Sequence, residues 1–165
     1  NCGNTSVLDS PTDTDKITIS AWVYPDYTNM DSRGTVCTKT GQYYSQVKSS
    51  GEIAVYTYND GGGHLEYMSS NSTLPENTWS HIVFTEVNGE RKIYINSRVD
   101  KSGSYASSIG INADHPLQIG SEGSARYYDG RISEVRLYDH ALTQSEIQYL
   151  YEVTGGEYTT TTEVS

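Results

Sequence analysis

The feature that most limits what this chain can fold into is a repeated alternation of apolar and polar residues. In "KITISAWVYP", which begins at residue 16, every second residue from Ile17 to Val23 is apolar. A period of two places these side chains on one face of a half-buried strand. The further strand-like runs are "GTVCTKT", "YYSQVKSS", "GEIAVYTYND", "LEYMSS", "PLQIGSE" and "GRISEVRLYD". The chain is therefore predicted to be rich in β-strands.

Turn signals separate these runs at short intervals. The run "TWSHIVFTEVNGERKIYINSRV" predicts a hairpin at Asn88-Gly89, a dipeptide that accepts positive φ at low cost. A second strong turn is "NDGGGH", residues 59–64. Short strands joined by glycine-rich turns favour an antiparallel sandwich over a parallel α/β sheet.

A helix is predicted only near the end of the chain. In "LTQSEIQYLYE", Thr143 and Glu146 have the spacing of a capping box. The apolar residues that can share one face of this helix are Leu142, Ile147, Leu150 and Tyr151. About two turns are too short to be stable alone, so we expect the helix to pack against the sandwich. The glycines and β-branched residues of "TGGEYTTTTEVS" cannot prolong it.

The charge balance excludes two classes of partner. The 165 residues carry 21 acidic and 11 Lys or Arg side chains, which gives a formal net charge of −10. An acidic surface repels phosphate backbones and anionic lipid, so we expect no nucleic-acid partner. We also expect no membrane insertion, since no apolar run approaches the roughly 20 residues that a spanning helix needs.

Several features indicate an extracellular, secreted or cell-surface protein. The chain begins at Asn1 rather than Met, which suggests a processed product. Two sequons, at Asn4 and Asn71, are candidate glycosylation sites. Cys2 and Cys37 could form a disulfide that closes a loop of about 35 residues, worth on the order of 3–4 kcal/mol. Two buried thiols are the alternative, and a zinc or redox site lacks the CxxC spacing.

In their order along the chain, these segments resemble the laminin G-like, concanavalin A-like jelly-roll domains of bacteria and archaea. The resemblance runs from about residue 6 to residue 152 and is carried by "ITISAWVYP", "GTVCTKTGQYYSQVKSSGEIAVYTYNDGGGH", "LPENTWSHIVFTEVNGERKIYIN" and "PLQIGSEGSARYYDGRISEVRLYDHALTQSEI". It departs at the start, where "NCGNTS" replaces the family's usual aromatic–Asp–Gly run. The resemblance implies an all-β, antiparallel two-sheet jelly-roll sandwich with one short C-terminal helix. We expect a domain over 1–153 and a Thr-rich tail, 154–165, that is an edge strand or a linker.

Catalysis is not expected. Glycosidases on such a sandwich need two carboxylates at a defined separation, and the related β-glucanases present theirs as Glu-x-Asp-x-x-Glu on one strand. No such run occurs in the sequence, whose glutamates are scattered singly. The four histidines accompany no G-x-S-x-G nucleophile motif.

The resemblance also implies a calcium site, formed where the N-terminal polar segment meets the strand "YDGRISE". It nominates Asn4, Asp129 and Glu134 as ligands, because Ca²⁺ prefers carboxylate and amide oxygens. The loop "DYTNMD", residues 26–31, is a second cluster of such oxygens. Either segment is equally consistent with an ordinary solvated turn, since turns also favour Asp and Asn.

Aromatic residues are the candidates for carbohydrate binding, because flat rings stack on sugar faces. The wider candidates are Tyr43, Tyr44 and Tyr67, and the predicted ligand-binding set is Tyr56, Tyr58, His64, Arg126, Tyr127 and Tyr128. The alternative is that the 15 tyrosines stand in for the nearly absent Phe and cover the sheets, with their hydroxyls at the rim.

The sequence therefore predicts a non-catalytic extracellular module for recognition or adhesion. Its expected partner is a glycan or a cell-surface protein, and Ca²⁺ is the candidate cofactor. One alternative is a structural subunit of a self-assembling filament or sheath, joined through the β-prone tail "GEYTTTTEVS". Another is an appendage of a secreted glycosidase.

Overall fold

The fold is an antiparallel two-sheet jelly-roll sandwich with one short C-terminal helix, as predicted. A computed structural model describes residues 16–58, 65–105, 109, 115–155 and 158. The elements within them are β1 (Lys16–Pro25), β2 (Arg33–Lys39), β3 (Tyr43–Lys48), β4 (Glu52–Tyr58), β5 (Leu65–Thr73), β6 (Ser80–Val87), β7 (Glu90–Ile95), β8 (Arg98–Ser104), β9 (Leu117–Ile119), β10 (Gly130–Tyr138) and α1 (Gln144–Gly155).

Two five-stranded sheets enclose the core. The first sheet has the order β10-β1-β6-β7-β8 and the second has the order β5-β4-β3-β2-β9. The apolar residues of the period-two pattern point inward from both sheets, so that Ile19 and Phe84 of the first sheet share one cluster with Val55 of the second. Burial of these alternating side chains is what holds the sheets face to face.

The hairpin predicted at Asn88-Gly89 joins β6 and β7. Asn88 has a φ of 50° and Gly89 a φ of 82°, the left-handed region that this dipeptide tolerates. A Cβ atom at position 89 would also collide with the backbone carbonyl of Tyr105, which follows β8. Glycine is therefore required at this position by both conformation and space.

Helix α1 packs on the outer face of the first sheet. The capping box is formed, since Glu146 Oε2 accepts a hydrogen bond from the Thr143 amide (2.7 Å) and the Glu146 amide donates to Thr143 Oγ1 (3.3 Å). Leu142, Ile147 and Leu150 are buried against the sheet, as expected. The helix runs to Gly155, two residues past the boundary predicted at 153. No helix within the described ranges is long and apolar enough to cross a membrane.

Strand β8 was not predicted from the sequence. Its sequence, "RVDKSGS", has no apolar alternation, and most of its side chains are exposed or half-buried. It pairs with β7 at the edge of the first sheet, where β7 is its one strand neighbour among the described elements. An edge strand with little apolar burial carries no period-two signal.

Cys37 and Asn71 have well-defined surroundings. Cys37 is buried in the core between the sheets, while Cys2 lies outside the described residues, so the disulfide stays a prediction. Asn71 is exposed on β5, and its side-chain amide donates to the backbone carbonyl of Asp100 on β8 (2.6 Å). This amide links the two sheets, and its glycosylation also stays a prediction. Asn4, the other sequon, lies outside the described residues.

Candidate functional site

The two sheets differ in what covers their outer faces. Helix α1 lies on the first sheet, whereas the second sheet turns a row of tyrosines outward. On β4 the alternation sends Ile53 and Val55 into the core, and so it sends Tyr56 and Tyr58 to the outer face. Tyr56 pairs across the sheet with Tyr44 of β3 on one side and with Tyr67 of β5 on the other.

A pocket of about 280 Å³ lies on this outer face. Its described lining residues are Arg33, Tyr44, Tyr56, Tyr58 and Arg126. Three phenol rings therefore stand beside two guanidinium groups. The rings of Tyr44 and Tyr58 contact each other, with centroids 5.8 Å apart, while Tyr56 contacts the ring of Tyr67, outside the lining, at 4.9 Å. Such contacts fix the rings before any ligand arrives.

Arg33 is held against the aromatic row. It begins β2, and its guanidinium carbon lies 5.3 Å from the centre of the Tyr56 ring. Its Nη1 donates a hydrogen bond to the Tyr56 hydroxyl. A cation–π contact together with this hydrogen bond orients the guanidinium toward the pocket.

Arg126 comes from the irregular segment between β9 and β10. Its φ of 52° is unusual for a residue with a side chain. The segment is fixed to the second sheet because the Thr35 amide donates to the Arg126 carbonyl (2.9 Å). The Arg126 guanidinium pairs with Glu122, and Glu122 also accepts a 3.5 Å hydrogen bond from Gln46 of β3. The position of Arg126 thus depends on both its own backbone and the sheet below.

Partial burial favours the uncharged form of the phenols still further. Desolvation raises the pKa of Tyr44, and desolvation likewise raises the pKa of Tyr56 despite the opposing charge of Arg33. Both hydroxyls are therefore neutral at pH 7 and can donate as well as accept hydrogen bonds. The pocket can offer apolar ring faces, hydroxyls and guanidinium N–H groups to one ligand.

The structure brings together three of the six predicted ligand-binding residues, namely Tyr56, Tyr58 and Arg126. Tyr127 is 60% exposed and does not line the pocket. Tyr128 packs against the core, where burial raises the pKa of its hydroxyl. His64 lies outside the described residues.

Sequence reasoning missed Arg33 and Glu122, although both help to form the site. Arg33 stands at the start of a run predicted as a strand, and it faces Lys48 of β3 across the sheet. Its register relative to Tyr56 depends on two strand pairings that the sequence does not reveal. Glu122 carried no signal beyond its place four residues before Arg126.

The predicted calcium ligands have separate surroundings. Asp129 Oδ2 is buried and has no hydrogen-bond partner within the part of the chain that the structure describes. Glu134 lies at a bulge in β10 and pairs with Arg136 at 2.6 Å. Asn4 lies outside the described residues, and the described ones contain no cluster of three metal-ligating His, Cys, Asp or Glu side chains. The structure thus does not bring Asp129 and Glu134 together in one cluster, and Glu134 already has a cationic partner.

Comparison with known sequences identifies one family. Residues 3–148 match the model of the concanavalin A-like lectin/glucanases superfamily. No curated protein matches the sequence.

Solved structures with the same fold include three from bacteria. A Bacteroides ovatus ATCC 8483 protein assigned as carbohydrate-binding has a TM-score of 0.69 and 20% identity over 86% of this chain and 42% of its own. Domain 4 of AbnA, a GH43 extracellular arabinanase from Geobacillus stearothermophilus in complex with arabinotriose, has a TM-score of 0.67 and 21% identity over 87% of this chain and 69% of its own. The CBM40 of a Ruminococcus gnavus IT-sialidase, bound to α2,3-sialyllactose, has a TM-score of 0.69 and 13% identity over 84% and 83%. This chain thus spans less than half of the first of these proteins.

Proposed function

The chain belongs to the concanavalin A-like lectin/glucanase superfamily, and from this membership we propose that it is a non-catalytic carbohydrate-binding module. The proposed binding site is the pocket on the outer face of the second sheet. Two of the structural relatives are named with a bound sugar, arabinotriose in one and α2,3-sialyllactose in the other. Those ligands belong to those proteins, and they support carbohydrate as the ligand class here.

One observation carries the proposal: the pocket places Tyr44, Tyr56 and Tyr58 beside two arginines on the outer face of the second sheet. A pyranose or furanose ring has an apolar C–H face, which packs on aromatic rings, and a rim of hydroxyls, which pair with polar groups. Ligand pockets commonly hold about 300–1,000 Å³. At about 280 Å³ this pocket suits a short sugar segment.

The test compares the effects of removing two tyrosine rings on the affinity for a glycan. Tyr58→Ala removes a ring that lines the pocket, whereas Tyr127→Ala removes a more exposed ring that does not. A glycan array identifies the ligand and isothermal titration calorimetry measures its Kd. We expect Tyr58→Ala to weaken binding about tenfold, which corresponds to ~1.4 kcal/mol of lost contact.

The Tyr127→Ala variant is the matched control and should bind within about twofold of the wild type. Thermal unfolding of both variants checks that neither change disturbs the fold. Failure of the wild type to bind any glycan would refute the module, and equal losses in the two variants would place its site elsewhere.

Location and calcium dependence are further parts of the proposal. An extracellular site of action is supported by the acidic charge, the exposed sequon at Asn71 and the abundance of hydroxyl side chains. Calcium binding is supported by the unpartnered buried oxygen of Asp129. A cation bound to Asp129 would lie at the start of β10, in the first sheet. It would stabilise the fold and would not contact a ligand in the pocket.

A further inference from the structure

The pocket is positively charged, although the chain as a whole is negatively charged. The protein as a whole carries −10, yet the described residues that line the pocket include two arginines and no carboxylate. Glu122 lies behind Arg126 and neutralises it as an ion pair. Two guanidiniums and one carboxylate leave one positive charge, and that charge belongs to Arg33.

Within the part of the chain that the structure describes, Arg33 has no carboxylate partner. Its guanidinium makes no ion pair there, and its hydrogen bond goes to the neutral hydroxyl of Tyr56. A guanidinium has five N–H donors, so most of its hydrogen-bonding capacity stays available to a ligand. Lys48, which faces Arg33 across the sheet, does not supply a further excess because the Glu52 carboxylate lies near it.

The guanidinium is also held in place. Its contact with the Tyr56 ring, at 5.3 Å from the ring centre, reduces the side-chain entropy that binding would otherwise cost. A neutral sugar that covered Arg33 would remove water from this cation without replacing it by an opposite charge. A carboxylate would instead form a charge-assisted, bidentate pair with the planar fork.

We infer that the ligand is an acidic glycan whose sugar carboxylate pairs with Arg33. Uronic acids and sialic acids share this chemistry. The inference rests on the proposed carbohydrate-binding function and adds the class of sugar. The phenol rings of Tyr56 and Tyr58 would pack on the sugar face, and Arg126 would donate to hydroxyls while it keeps its partner Glu122.

The experiment uses pairs of glycans in which one member carries sugar carboxylates and the other is neutral. Trigalacturonate is compared with its methyl ester, and α2,3-sialyllactose with lactose, by isothermal titration calorimetry of the full chain at about 50 mM and 500 mM NaCl. We expect the acidic member of at least one pair to bind tenfold or more tightly at low salt. High salt should reduce that preference several-fold, because screening weakens a solvent-accessible ion pair.

Three variants test whether Arg33 is the residue that binds the carboxylate of the glycan. Arg33→Gln should lower the affinity for the acidic glycan at least tenfold and abolish the preference over the neutral partner. Arg33→Lys keeps the charge but lacks the fork, so an intermediate loss is expected. Arg98→Gln removes the same charge at an exposed position on β8, in the other sheet, and should change nothing beyond twofold. Unchanged thermal unfolding of Arg33→Gln shows that the fold is intact.

The outcomes separate this inference from the proposed function. Equal binding of neutral and acidic partners by the wild type would overturn the acidic ligand and leave the carbohydrate-binding module standing. Tighter binding of a sulfated analogue than of the carboxylate would overturn the carboxylate assignment. A wild type that binds no glycan at all would overturn the module and this inference together.

Discussion

His81 is a buried histidine on the outer face of the first sheet, under helix α1. It lies on β6 with 1% of its surface exposed, and its Nε2 is 2.9 Å from the Ser20 hydroxyl. Its ring packs between Trp22 and Tyr151, with centroids 5.2 and 5.9 Å away. Burial, and next the charge of Arg136, lowers the pKa of His81 to about 4. The imidazole is therefore neutral in the folded protein at pH 7.

This lowered pKa predicts a loss of stability in acid. The unfolded chain takes up the proton near pH 6.5 and the folded protein only near pH 4, so the unfolded state binds more protons between these values. The free energy of unfolding should thus be highest above pH 6.5 and fall by roughly 3 kcal/mol as the pH drops to 4. Urea unfolding of the wild type and of His81→Gln, at pH 7.5 and at pH 4, measures the effect.

The difference between the two proteins isolates His81 from the carboxylates, which also titrate in this range. His81→Gln should lose about 3 kcal/mol less than the wild type between the two pH values. His140→Gln, at an exposed histidine in the turn after β10, is the control and should follow the wild type. Parallel profiles for all three proteins would contradict the prediction.

At the scale of elements, helix α1 and Tyr158, which follows it, cover the outer face of the first sheet. Trp22 Nε1 donates to Thr154 Oγ1 in the last turn of α1 (2.8 Å). Past the helix, the Tyr158 ring lies 4.8 Å from Trp22 and 4.6 Å from Trp79, between ring centroids. Its hydroxyl is 2.6 Å from that of Ser133 on β10. Tyr158 lies in a turn and packs on the sheet face, and residues 159–165 of the predicted edge strand lie outside the described residues.

Two truncations test this contact of Tyr158. A chain that ends at Gly155 loses the ring, whereas a chain that ends at Tyr158 keeps it. We expect the shorter chain to be less stable by about 1–2 kcal/mol, because Trp22 and Trp79 lose a packed aromatic partner. Chemical unfolding followed by tryptophan fluorescence reports both the stability and the exposure of the indoles.

Equal stability of the two truncated chains would show that Tyr158 contributes nothing to the folded sandwich. The chain that ends at Tyr158 also tests the self-association proposed for the tail. Size-exclusion chromatography with light scattering should give the same mass for it and for the full chain if residues 159–165 form only a linker, and a smaller mass if they join subunits.

At the scale of the whole molecule, the two outer faces have separate roles. The outer face of the first sheet packs against α1 and stabilises the fold, while the outer face of the second sheet carries the pocket. The segment between β9 and β10 closes over β2, where a Cβ at Gly34 would lie 2.9 Å from the Tyr128 Cα. Glycine at this position therefore permits the approach that brings Arg126 to the pocket.

Calcium is predicted to stabilise the whole domain through Asp129. A ligand that binds only the folded state at about 100 times its Kd adds ~2.7 kcal/mol, which for a chain of this size raises Tm by about 5–10 °C. Differential scanning calorimetry with calcium and with EDTA should show this shift in the wild type. Asp129→Asn should remove it, whereas Glu134→Gln should keep it because that carboxylate already pairs with Arg136.

Two results would change this assignment. Loss of the calcium shift in Glu134→Gln would show that the ion displaces Arg136 and recruits both predicted carboxylates. The same shift in the wild type and in Asp129→Asn would show that Asp129 is not a ligand.

The sequence alone determined the elements that depend on neighbouring residues. The period of two in "KITISAWVYP" fixed β1, the Asn88-Gly89 turn fixed the β6–β7 hairpin, and the spacing of Thr143 and Glu146 fixed the start of α1. Each of these signals is local, because side-chain alternation, positive φ and helix capping act within a few residues. Strand β8 was not predicted because an edge strand with few buried side chains shows no alternation of apolar and polar residues.

Only the tertiary structure decided which tyrosines form a site and which fill the core. Tyr56 and Tyr128 look alike in the sequence, yet one lines the pocket and the other packs against the core. Arg33 joins Tyr56 across two intervening strand pairings, in the order β2-β3-β4. Strand order and register follow from burial of the whole core between two sheets, a free energy summed over residues far apart in the chain, so no local pattern can encode them.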